Sequence, residues 1–187
     1  DLAQITRDLV ALHASTAVGP YLSLWARTPD FQRVMLEEVL FEQRTLAKIL
    51  CMRYTVHAVL SNEIPLFFQA YADRPPSRDQ ASLDTMLTLA GLCSEAETDT
   101  FGATLRRQVL SALHARGTAT LVELSAEIAA LTAKIQHSEG KKYAGTFSLG
   151  SRLLPLMCAE GTVIRTRPSG SWRSTQYAYA TLVDWLP

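Results

Sequence analysis

The sequence predicts a mainly α protein with small β wings, an α+β chain built as two winged helix-turn-helix units in tandem. Three observations lead there. Residues 161–179 place β-favouring side chains on both sides of Pro168-Ser169-Gly170, a turn-forming trio, so the chain reverses there as a hairpin. Helix-like segments precede that hairpin. Upstream, two short apolar runs on either side of Arg53-Tyr54 again follow helical stretches, so the order of elements repeats.

In chain order, Leu2, Ile5, Leu9 and Leu12 recur at three- and four-residue spacing, the stripe of a first helix that ends near Ala14-Ser15-Thr16. Gly19-Pro20 interrupts the chain. Tyr21 to Ala26 resumes as a short helix with Leu22 and Trp25 on one face, and Phe31 to Phe41 follows as another with Asp30 as its N-cap. Ala47 to Met52 and Thr55 to Leu60 are apolar and rich in β-branched residues, the pattern of two strands. Ile64 to Tyr71 reads as helix. Asp73-Arg74-Pro75-Pro76-Ser77-Arg78 then marks the boundary between the units, because two adjacent prolines cannot continue a helix.

These signals divide the chain into a first unit at 1–72, a linker and connecting helix at 73–100, and a second unit at 101–187. Gln80 to Leu92 supplies the connecting helix, and Phe101 to Ala115 opens the second unit until Gly117 stops it. Thr120 with Glu123 three residues on matches a capping box and begins a helix through Leu131. Residues 136–144 read as a polar loop, Phe147 to Cys158 as a third helix, and the hairpin follows.

The chain has 187 residues, 48% of them hydrophobic, enough to build buried cores. Cys51, Cys93 and Cys158 lie far apart among apolar neighbours and are read as buried reduced thiols. No long uncharged apolar run suggests a membrane span, and a cytoplasmic location is expected. The formal net charge is zero, but residues 1–100 carry 8 Lys/Arg against 13 Asp/Glu and residues 101–187 carry 10 against 5. A basic half beside an acidic half suggests one face that meets an anion.

In the basic half, Lys141, Lys142, Ser148, Ser151 and Arg152 surround the third helix and Arg165, Arg167 and Arg173 decorate the hairpin, projecting together. Hydroxyls and guanidinium forks of this kind hydrogen-bond phosphate oxygens, so double-stranded DNA is the expected partner. Solvated surface arginines are the plain alternative, and Trp172 and Tyr177 are expected to pack against the helices rather than stack on bases. In the acidic half, His13 lies where the first helix ends, with Ser15 two residues on. An imidazole there can orient or deprotonate a water that the hydroxyl also holds, although a structural histidine is the simpler reading. Arg53, Thr55 and His57 alternate and would share one strand face as a polar cluster. No His/Cys pair has metal spacing, and neither a Gly-rich phosphate loop nor a G-x-S-x-G elbow is present, so neither metal nor cofactor is expected.

The segments Leu12-His13-Ala14-Ser15, Tyr21-Leu22-Ser23-Leu24-Trp25-Ala26-Arg27 and Met52-Arg53-Tyr54-Thr55-Val56-His57, with the ending from Thr162 to Pro187, are similar to the AlkZ/YcaQ family of bacterial winged-helix proteins. The resemblance implies tandem winged helices and a DNA glycosylase that hydrolyses the N-glycosidic bond of alkylated or cross-linked bases, in repair or self-resistance. Members usually run longer, with a third winged helix, so this chain resembles an N-terminal portion of one. Where the glycosylases carry Gln-x-Gln or Gln-x-Asp to position the hydrolytic water, the matching positions here are His13 and Ser15. The alternatives are a non-catalytic winged-helix DNA binder or regulator, and a winged helix used for protein contact.

Overall fold

A computed structural model of the chain describes residues 1–70, 77–137 and 145–186. It is a mixed α+β fold with two three-stranded antiparallel sheets and a separate two-stranded one. The first stretch runs α1 (Leu2–Asp8), β1 (Leu12–His13), α2 (Gly19–Trp25), α3 (Arg33–Glu37), β2 (Leu46–Leu50), β3 (Val56–Leu60) and α4 (Ile64–Ala70). Then come α5 (Ser77–Leu89), α6 (Thr98–Arg116), β4 (Ala119–Thr120), α7 (Leu121–Glu127), β5 (Lys134–His137), β6 (Gly145–Ser148), α8 (Gly150–Ala159), β7 (Val163–Pro168), β8 (Tyr177–Thr181) and α9 (Leu182–Trp185).

The two halves share one plan. In each, a helix leads into a two-residue strand, two more helices follow, and an antiparallel strand pair closes the sheet. The sheet orders are β1-β3-β2 and β4-β8-β7, so in both the short first strand pairs with the last. The second half differs by inserting the β5–β6 hairpin between α7 and α8.

Local chemistry accounts for most boundaries. Asp1 accepts from the Ala3 N–H at 2.9 Å and caps α1, which stops at Asp8 rather than running to Ser15. Val10 then takes φ 67°, a left-handed conformation strained for a β-branched residue, and turns the chain so that Leu12 enters the core. On α2 the buried residues are Pro20, Tyr21 and Leu24, whereas Leu22 and Trp25, expected on one face, are exposed. The segment lies on the core through the neighbouring stripe of its heptad. Gln32, not Asp30, caps α3, which widens into a π-turn at Glu38–Glu42. The capping box of α7 forms as expected, Thr120 Oγ1 accepting from Glu123 N–H at 3.3 Å while Glu123 accepts from Thr120 N–H at 2.7 Å. Gly117, at φ 74°, ends α6.

Two corrections concern the expected third helix and polar loop. Phe147 and Ser148 belong to β6, and α8 begins only at Gly150. Part of the loop expected at 136–144 is strand, because residues 134–137 pair with 145–148; residues 138–144 lie outside the described residues, and so do residues 71–76, the end of the expected first unit and the start of the linker.

Two hydrophobic cores result. One gathers Leu12, Tyr21, Leu24, Leu36, Leu40, Leu46, Ile49 and Ala58, and the other Leu87, Leu105, Val109, Leu124, Leu131, Leu153 and Met157. The β7–β8 hairpin belongs to both. Ile164 and its cross-strand partner Ala180 enter the first core, while Val163 enters the second and Tyr179 packs against it. Trp185 plugs the first core from α9; the Arg44 guanidinium lies 4.1 Å from the centre of its ring and donates to its carbonyl at 3.0 Å. Trp185→Ala should therefore cost about 3–5 kcal/mol in urea denaturation, with Trp185→Phe retaining most of the stability.

Candidate functional site

His13 and His57 face each other across the β1–β3 ladder, as direct register partners. Their rings meet edge to face with centroids 5.3 Å apart. The setting is asymmetric, since His13 is exposed and His57 is 9% exposed. His57 Nδ1 lies 3.1 Å from the Thr55 carbonyl, and a carbonyl only accepts, so this bond requires the proton on Nδ1 and leaves Nε2 a lone pair in the neutral ring. Burial holds the His57 imidazole below the usual histidine range, the Thr55 hydrogen bond opposes that, and the neighbouring His13 adds to it. A neutral, tautomer-fixed ring thus backs an exposed one.

The segment after His13 is held from two sides. Ala14 N–H donates to the Val56 carbonyl at 2.8 Å, extending the ladder by one bond. On the other side, a Cβ on Gly19 would stand 2.8 Å from the His13 carbonyl oxygen and 3.0 Å from Thr16 Oγ1, so only glycine lets α2 begin this close. Ser15 sits exposed on the loop between these two anchors. The sequence expectation placed His13 at a helix end; the structure puts it on β1, because Val10 breaks the helical stripe first.

The expected cluster of Arg53, Thr55 and His57 is not a strand face. Arg53 occupies the turn between β2 and β3 at φ 57°, Thr55 closes that turn by donating to the Met52 carbonyl at 2.8 Å, and only His57 is in the strand. Arg53 is exposed at this turn.

The expected basic residues are likewise divided. Lys141 and Lys142 lie outside the described residues. Ser148 accepts from Ser151 N–H at 3.3 Å and Ser151 Oγ donates to the Ser148 carbonyl at 2.7 Å, so both hydroxyls serve the start of α8. Arg152 is exposed and stacks on the Phe147 ring at 3.9 Å. Arg165, Arg167 and Arg173 do not project together. Arg165 turns inward beside Cys158 and Tyr179, Arg167 is ion-paired with Glu42 across the two halves, and Arg173 is exposed past the turn. The cause is the hairpin's position between two cores, with an irregularity in the ladder between Arg165 and Pro168. Trp172 packs edge to face on Tyr21 of α2 at 4.8 Å, against a helix as expected.

One residue escaped the sequence reading altogether. Lys48, in the middle of β2, is 7% exposed. Its ammonium lies 5.7 Å from the Phe41 ring centre and 5.9 Å from that of Tyr177, and Arg165 lies 5.6 Å from the same Tyr177 ring. The available signal was a cation inside the otherwise apolar run Leu46-Ala47-Lys48-Ile49-Leu50. Burial, reinforced by Arg165 and opposed by Glu37, brings the amine down to about 8.

That depression has a definite sign for stability. Below about pH 8 both the folded and unfolded chains carry the proton, and the folded state bears the full desolvation cost; from there to about 10.5 only the unfolded chain is protonated, so stability rises with pH. Lys48→Met should accordingly stabilise the protein at pH 7, by on the order of 3 kcal/mol in phosphate-free buffer, with the advantage shrinking from about pH 8 and gone near pH 10.5. Urea unfolding across that range is the measurement.

Among the described residues no helix is long and apolar enough to cross a membrane. No curated protein and no solved structure matches the chain. The family model of the AlkZ-like DNA glycosylases, in contrast, matches residues 6–187, which takes in the His13–His57 ladder, both sheets and the shared hairpin. The chain belongs to the AlkZ-like DNA glycosylase family.

Proposed function

We propose that this protein is a monofunctional DNA glycosylase that hydrolyses the N-glycosidic bond of alkylated or adducted bases in duplex DNA, using two winged-helix units at 1–72 and 101–187 joined through 73–100. The family supports the activity, and the repeated element order with matching sheet orders supports the tandem winged-helix reading. The observation that carries the catalytic assignment is His13. It is exposed, held in a fixed strand register, and backed by a neutral histidine at the position where the family resemblance puts a water-positioning residue.

The reaction needs little from the protein. A base alkylated at a ring nitrogen leaves as a neutral molecule, so the C1′–N bond breaks with its electron pair going to the base and the sugar becoming oxocarbenium-like. A water placed on the opposite face adds to C1′, and its proton passes to an acceptor. His13 is that acceptor and Ser15 the second hydrogen-bonding partner of the water. His57, in ring contact with His13 but not with the water, is a positioning residue. Neither His13 nor Ser15 supplies the formal negative charge that an aspartate would offer the sugar cation. The enzyme is therefore restricted to labile, cationic lesions such as 7-alkylguanine. Arg53 at the first wing, Arg152 and Arg173 are the exposed cations available to backbone phosphates, and Lys141, Lys142, Ser148 and Ser151 join the same proposed interface.

Release of 7-methylguanine from a methylated duplex tests this. His13→Ala should lower the single-turnover rate at least about 100-fold while duplex affinity stays within a few-fold. Unchanged release removes His13 from the chemistry; absence of release by the parent protein, with affinity intact, assigns the non-catalytic DNA-binding role instead.

A further inference from the structure

The described structure places two cations together with only the more distant Glu37 acting on Lys48 and no ion pair to either. Lys48 is buried on β2 and Arg165 is half-buried on β7, and these are edge strands of the two sheets, packed against one another. Both cations flank the Tyr177 ring, within 6 Å of its centre at 5.9 and 5.6 Å. Neither forms an ion pair among the described residues. Arg165 leans on the Cys158 thiol and the Tyr179 hydroxyl, yet its Nε is buried with no hydrogen-bond partner. Two acids of the first half are paired with other arginines. Glu42 pairs with Arg167, whose guanidinium stacks 4.8 Å above Phe41, and Glu37 pairs with Arg33 at 3.5 Å.

Adjacent buried cations with an orphaned donor are costly unless something negative completes them. A solvated surface pair would relax outward into water; here the rings of Phe41 and Tyr177 enclose the amine, and the sheet edges hold both strands. The geometry points to a phosphate-binding site at the β2–β7 junction, formed by Lys48 and the free Nε edge of Arg165, with a backbone phosphodiester of DNA as its ligand. A phosphate oxygen between the two accepts from the ammonium and from Nε–H, and the orphaned donor is satisfied. Because the residues come from both halves, occupancy would also pin the halves together. Lys48 points away from the His13–His57 face of its sheet, since Lys48 pairs with Ala58 while Ile49 pairs with His57. The site is thus separate from the proposed catalytic one, and only the identity of its ligand rests on the nucleic-acid reading.

The test uses the whole chain, inorganic phosphate and an undamaged duplex, so it is independent of base release. At constant ionic strength, replacing chloride by phosphate should raise the melting temperature of the parent protein, and Lys48→Met should lose that rise while Lys48→Arg keeps it. In the duplex arm, the slope of log affinity against log salt should flatten by about 0.9 in Lys48→Met, one phosphate contact fewer. Loss of the phosphate response with an unchanged slope assigns the site to a free phosphate or monoester. The inference is overturned if Lys48→Met matches the parent in both arms.

Discussion

The β7–β8 hairpin is a single ribbon buried on both faces, and the rest of the structure depends on that. Strand periodicity sends Ile164 and Ala180 to one core and Val163 with Tyr179 to the other, so each core is incomplete without the same pair of strands. Trp185, four residues beyond β8 and clasped by Arg44, extends the hold on the first half. The two repeats are therefore not beads on a string. A change in one core is transmitted to the other through side chains that alternate along one strand.

The same constraint explains the electrostatics. A ribbon between two cores has only its turn end free, which leaves Arg173 in solvent but draws Arg165 toward Cys158 and Tyr179 and brings Arg167 within reach of Glu42. It also brings β7 against β2, and with it Arg165 against Lys48. The zero net charge of the chain hides this. Acidic residues of the first half and basic residues of the second partly cancel across the junction, as Glu42 does with Arg167, whereas Lys48 and Arg165 form no ion pair there among the described residues.

The repeat also shows where the two halves differ around His13. In the second half, Thr120 at the end of β4 caps α7 directly, with no residues between strand and helix. In the first half, residues 14–18 separate β1 from α2. That extra loop carries Ser15 and frees the last strand residue, His13, from capping duty. The cost is local strain at Val10 and a close backbone approach that only Gly19 permits. An exposed imidazole on a strand is held more firmly than one on a loop, as the proposed water-positioning role would need.

Local signals in the sequence determined much of this molecule. The capping box at Thr120, the helix stop at Gly117 and the strand pair around Arg53-Tyr54 all rest on side chains acting within a few residues of themselves, as do the short motifs shared with the family; the final hairpin forms too, but Pro168 stays in β7 opposite Tyr177 and the chain reverses through residues 169–176 rather than at Pro168-Ser169-Gly170. Where the reading failed, the deciding contact was distant in the chain. Leu22 and Trp25 look like a buried stripe until Tyr21 finds Trp172, and Ser148 looks helical until residues 134–137 pair with its strand. The three arginines look like a common anion-binding fringe until the second core claims Arg165 and Glu42 claims Arg167. Lys48 was invisible for the same reason. Composition and periodicity describe which residues prefer burial, but which pairs of buried surfaces meet is settled by packing between elements over a hundred residues apart, and only that packing brought the amine of β2 to the guanidinium of β7.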